Sequence, residues 1–129
     1  MDLPPFGLGY PRTELRRKLV DAVLSGEKIA TAGLATDFAP HTEDPLPKPG
    51  DRWQLLGFDD EAIGIVETTA VEVVPAGDVG LQFARDEGEG FESVAAWREA
   101  HERFWSEHTI SDDTLIVCEH FRLVERLSG

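Results

Sequence analysis

Two long strand-type segments, Ala62 to Val74 and Thr114 to Val124, constrain this chain most, because what lies between them has a different period. Leu115, Val117, Glu119, Phe121 and Leu123 alternate with more polar residues, the period-two signature of a half-buried strand. Ser93 to about Glu107 instead places Val94, Trp97, His101, Phe104, Trp105 and His108 on one side, with Arg98, Glu99, Glu102 and Arg103 on the other, which predicts an amphipathic helix. A shorter helix, Val79 to about Asp86, is expected before it, capped by Asp78. Strands and helices without regular alternation point to α+β rather than to a doubly wound sheet. The expected architecture is a small, partly open barrel with two or three helices packed on it.

The long strand carries a conflict. Ile63, Ile65, Val71 and Val73 would share a face with Glu67 and Thr69. A bend or bulge midway resolves it. Upstream, residues 1–12 read as an irregular arm with Pro4, Pro5 and Pro11. A helix follows from Thr13, its expected N-cap, to Ser25, with Leu15, Leu19, Val20, Val23 and Leu24 as the buried stripe and Gly26 as the C-cap. A short strand runs from Thr31 to Ala35. Residues 37–50 hold four prolines and no periodicity, and loops of that length are either lids or tolerated insertions. Arg52 to Phe58 forms the next strand, closed by a turn at Asp59-Asp60.

At 129 residues the chain is one domain, 1–129, large enough for a core without disulfide or metal staples. Its single cysteine, Cys118, fits a reducing compartment and, mid-strand, reads as a buried inert thiol. The first residues show no secretory pattern, and no apolar run approaches the roughly 20 residues that span a bilayer. The expectation is a cytoplasmic protein without a membrane partner. Twenty-five acidic against twelve basic residues give a net charge of −13, which disfavours tight non-specific binding of nucleic acid. The densest basic patch, Arg12, Arg16, Arg17 and Lys18, is expected to be a solvated helix face.

Candidate chemistry gathers at two places. Gly26-Glu27-Lys28-Ile29-Ala30-Thr31 puts a lysine and a hydroxyl at a helix exit. The helix dipole alone accounts for that lysine, whereas in a cleft it would serve as a base. Strict alternation would separate Lys28 from Thr31, so cooperation requires Lys28 to lie in the turn. The second place, Asp86-Glu87-Gly88-Glu89-Gly90, puts three acids at a helix C-terminus, against the dipole. It reads as a functional turn or as a solvated one. His101, one helical turn from Trp97 and from Trp105, reads as a core histidine or as part of a stacking surface for a planar ring. His41, His101, His108 and His120 lack zinc-site spacing, so no metal is expected, and no phosphate or dinucleotide loop is present.

Several segments in order resemble ASCH domains of the PUA-like superfamily: Gly26-Glu27-Lys28-Ile29-Ala30-Thr31, Pro49-Gly50-Asp51, Ile65 to Val73, Phe83 to Gly90, Trp97 to Trp105, and Val117 to Phe121. The resemblance covers about residues 15 to 125. It implies a PUA-like partly open β-barrel with helices beside a central cleft, and nucleoside or short RNA ligands. One branch of the family hydrolyses N4-acetylcytidine with a lysine, a threonine and a glutamate, which would fall on Lys28, Thr31 and Glu87. Gly33, Glu89, Trp97 and His101 are the expected ligand contacts, and no cofactor is implied. Other members are ribonucleases or RNA-binding modules. An acidic protein-interaction domain is the remaining class.

Overall fold

The computed structural model describes residues 3–6, 14–39, 41–43 and 45–127. In chain order its main elements are α1 (Glu14–Ser25), β1 (Ala30–Leu34), β2 (Arg52–Leu56), β3 (Ala62–Pro75), α2 (Leu81–Asp86), α3 (Val94–Phe104) and β4 (Leu115–Arg126). The strands form one sheet in the order β1-β4-β3-β2, with every pair antiparallel. Three helices on a curled four-stranded sheet make an α+β half-barrel of the PUA-like kind.

The two faces of the sheet bury two clusters. On one, α1 lays Val20 and Val23 against Leu55, Val66 and Phe121, with Phe6 inserted beside them. On the other, α2 and α3 pack Phe83, Ala84 and Trp97 against Ala30, Leu34, Ile116 and Cys118. β3 contributes to both clusters. It pairs Val66 with Leu123 in the first and Val74 with Ile116 in the second. An even spacing on β3 thereby meets an odd one on β4, which requires an odd number of extra residues. The register shifts at Thr68/Ala70, between these two pairs, and also at Ile65/Val66, before them. The bulge expected midway along the strand therefore exists, but the expected face does not hold. Gly64, Val66 and Thr68 are buried, while Val73 is exposed.

Four other expectations change. Residues 4–6 do not form a free arm: Phe6 N–H donates to the Gln54 carbonyl (2.8 Å), Gln54 N–H donates to the Pro4 carbonyl (2.8 Å), and the Phe6 ring meets Phe121 edge-on at 4.8 Å. Burying an aromatic ring offsets the ordering of that segment. On α1, Leu15 is exposed and Arg16 is buried instead, its guanidinium 2.6 Å from Asp60 in the β2–β3 turn. A planar donor fork bonded to a carboxylate tolerates this burial, so the basic patch is not a solvated face throughout. Arg12 and the expected cap Thr13 lie outside the described residues. α2 begins after Gly80, because Ala76–Asp78 is a separate 3-10 turn. α3 does start at Ser93, whose hydroxyl accepts from Ala96 N–H (3.0 Å), but it stops at Phe104, short of Glu107.

Candidate functional site

Gly26 ends α1 at φ +85°, as a C-terminal glycine does. The next residues form the turn that cooperation between Lys28 and Thr31 required. Lys28 N–H bonds back to the Ala22 carbonyl (3.0 Å), and Ile29 N–H donates to the Asp86 carbonyl (2.8 Å). The strand becomes regular only at Ala30. The Lys28 side chain is thus free to turn inward, where it is 2 % exposed.

The acidic turn meets it there. Gly88 adopts φ +66°, and a Cβ on it would overlap the Glu27 carbonyl and lie 2.6 Å from Lys28 Cα. Only glycine permits this approach. It brings two acceptors to Lys28 Nζ: the Glu87 carbonyl at 3.1 Å and Glu89 Oε2 at 3.2 Å. The Ala30 carbonyl, at 2.9 Å, is the third. Three acceptors use all three N–H groups of an ammonium, and a neutral amine has only two to give. The geometry matches a lysine held in place as a three-fold hydrogen-bond donor.

The carboxylate facing Lys28 belongs to Glu89. Glu87 reaches the lysine only through its backbone carbonyl. Its own carboxylate, 1 % exposed, accepts from Trp97 Nε1 and lies 3.3 Å from His101 Nε2. His101 stacks on Trp97 (centroids 4.3 Å apart, planes at 23°), and its Nδ1 lies 2.8 Å from the Trp97 carbonyl. Both ring nitrogens thus face acceptors, the arrangement of an imidazolium. Burial alone would lower the His101 pKa. The hydrogen bond and charge of Glu87, the Trp97 carbonyl and the Glu89 charge outweigh it and raise the value. Lys28 and His101 then balance Glu87 and Glu89.

A cavity of about 250 Å³ opens on this cluster. Lys28, Thr31, Glu87, Glu89 and His101 line it, together with Ala32, Phe91, Ala100, Phe104, Leu15 and Leu19. Five of the seven expected residues are therefore gathered. Gly33 and Trp97 do not line it. Gly33 lies under the Phe38 ring, and Trp97 is buried behind His101. The apolar walls were missed because Leu15 read as core and Phe91 belonged to no periodic segment. Among the described residues the Thr31 hydroxyl has no hydrogen-bond partner, and Lys28 Nζ does not reach it directly.

A second polar chain lies beside the first. Trp53 Nε1 donates to the Thr68 hydroxyl (2.9 Å), which donates to Glu119 Oε2 (2.6 Å), and Glu119 is the cross-strand neighbour of Thr31. Burial raises the Glu119 pKa, against the Thr68 hydrogen bond and with help from the Asp51 charge. Cys118 fits its reading as inert: burial, then the charges of Glu87 and Glu72, push its thiol up to about 12. Among the described residues no cluster of His, Cys, Asp and Glu could hold a metal ion, and no helix is long and apolar enough to cross a membrane.

Comparison with known proteins places this geometry in context. A family model described as the ASCH domain matches residues 8–125. The ASCH domain structure from Lactobacillus crispatus JV V101 is 32% identical, with a TM-score of 0.76 over 84% of this chain and 72% of that one. A protein structure from Enterococcus faecalis V583 is 28% identical, with a TM-score of 0.83 over 98% of this chain and 79% of that one. An ASCH structure from Zymomonas mobilis, 18% identical with a TM-score of 0.53 over 81% and 61%, shares the fold. No curated protein matches the chain.

Proposed function

The chain belongs to the ASCH domain family, and from that premise we propose that its cleft binds a nucleoside, free or in a short RNA, and hydrolyses an amide carried by a modified cytidine. One observation carries the reading. A buried lysine amine with three hydrogen-bond partners lines a small apolar cavity, beside a carboxylate and a Thr31 hydroxyl that has no partner among the described residues. A cavity of this size suits one small ligand rather than a length of polymer.

The roles follow from these contacts. With all three contacts of the Lys28 amine taken up, Glu89 is the base in this reading. The Glu89 carboxylate takes a proton from water, and the hydroxide attacks the amide carbonyl carbon. Lys28 turns the N–H it gave Glu89 toward the developing oxyanion, and the Thr31 hydroxyl donates a second hydrogen bond. The two backbone carbonyls hold the ammonium in place meanwhile. Glu89 returns its proton to the nitrogen as the C–N bond breaks, leaving the amine and a carboxylic acid. Glu87 acts through others, orienting His101 and Trp97 behind the cavity.

Glu89→Gln keeps a hydrogen-bond acceptor for Lys28 but takes no proton. It should lower turnover of N4-acetylcytidine by about 100-fold or more while ligand still binds. Lys28→Ala should lose both. Wild-type turnover in Glu89→Gln would contradict the mechanism. The same cleft without turnover is a base-recognition pocket, a second reading favoured by the saturated Lys28. It predicts binding of N4-acetylcytidine with no product.

A further inference from the structure

Among the described residues β1 is an edge strand, with β4 on one side and no strand on the other. Two observed bonds fix which of its peptide groups face outward. Phe121 N–H donates to the Ile29 carbonyl (3.0 Å), so the odd-numbered residues of this segment turn toward β4, consistent with the pairs Thr31↔Glu119 and Gly33↔Val117. The Ala30 carbonyl points the other way, where it accepts from Lys28 Nζ (2.9 Å). Antiparallel alternation then directs both the N–H and the C=O of Ala32 outward, on the same side as the Ala30 carbonyl.

Ala32 is half-buried and lines the Lys28 cavity. By that alternation neither its N–H nor its C=O bonds to β4, and among the described residues no backbone group outside the ladder takes them up. Backbone groups withdrawn from bulk water are nearly always paired, and exposed edges are usually blunted or covered. Here side chains of α1 and α3, including Leu19, His101 and Phe104, line the space beside the edge. A space of about 250 Å³ suits a small ligand better than an added strand of another chain. A flat ring with a donor and an acceptor on one edge fits both the space and the unpaired groups.

Resting on the reading of this cavity as a nucleoside pocket, we infer that the outward edge of β1 reads the ligand. Ala32 N–H donates to an acceptor on the base edge, and the Ala32 carbonyl accepts from a neighbouring N–H. The ligand class this selects is a planar pyrimidine-type ring with adjacent acceptor and donor, such as the N3 and N4–H of cytosine. The ring slots between β1 and the His101 side, within reach of Lys28.

Backbone amide NMR with hydrogen exchange tests this, using cytidine, which the proposed reaction does not consume. In the free protein the Ala32 amide should exchange faster than those of Thr31 and Gly33, which bond to β4. Cytidine should move the Ala32 resonance and slow its exchange by about tenfold, the worth of one backbone hydrogen bond, while Thr31 and Gly33 hold their protection. Ala32→Pro removes this N–H without touching a β4 bond, so it should weaken cytidine by a similar factor with Thr31 and Gly33 still protected. Shifts around Lys28 and Glu89 with Ala32 unmoved, or wild-type affinity in Ala32→Pro, overturn the edge assignment and leave the pocket standing. No shift anywhere in the cavity at millimolar cytidine overturns both.

Discussion

At the scale of single residues, the site is decided by counting donors and acceptors. Lys28 has three acceptors for three N–H groups, and His101 has an acceptor at each nitrogen. A pH dependence follows from the histidine. Its folded pKa is raised, so the charged form stabilises the fold fully below the ordinary value of 6.5, and that contribution is lost as pH rises through the raised value. Melting temperatures of wild type and His101→Gln should therefore differ most in mild acid and converge in mild alkali. A constant difference across that range would show that the imidazolium contributes nothing. Lys28, Thr31 and an acidic partner were legible in the sequence. Which glutamate faces Lys28 was not, because side-chain direction in a glycine-rich turn follows no period.

At the scale of elements, the Glu87 to Gly90 turn is the piece on which the site depends. Its acids oppose the dipole of α2 because they serve Lys28 and His101 instead. Gly88→Ala forces a Cβ into the Glu27–Lys28 backbone at a positive φ. It should cost about 1–3 kcal/mol in a denaturant melt and lower ligand affinity, since the turn must back away from Lys28. Unchanged stability would mean that the close approach is dispensable. The helices and strands themselves followed from periodicity to within a few residues. The face of β3 did not, because the register shift at Thr68/Ala70 that hands it from one cluster to the other leaves no mark that alternation alone can read. Arg16 was likewise misread. An arginine on a helix surface looks solvated until the distant Asp60 is known to reach it.

At the scale of the whole molecule, charge limits the partner. With −13 overall, several surface cations are already engaged by carboxylates: Arg52 and Arg122 by Glu67, Arg98 by Asp112, and Arg103 by Glu99. Gripping a polymer needs cations available for phosphates, whereas a cavity balanced between Lys28, His101, Glu87 and Glu89 needs none. The fold class was readable from the sequence because it rests on sums over many residues, and the same net charge carries the proposal that tight polymer binding is disfavoured. The most direct test of the central claim is mass spectrometry of a panel of modified nucleosides and short RNAs incubated with wild type and with Lys28→Ala. The account predicts that wild type converts an acylated cytidine to cytidine while Lys28→Ala, still folded, leaves it intact. Equal conversion by both proteins, or conversion of none of the panel by wild type, would contradict it.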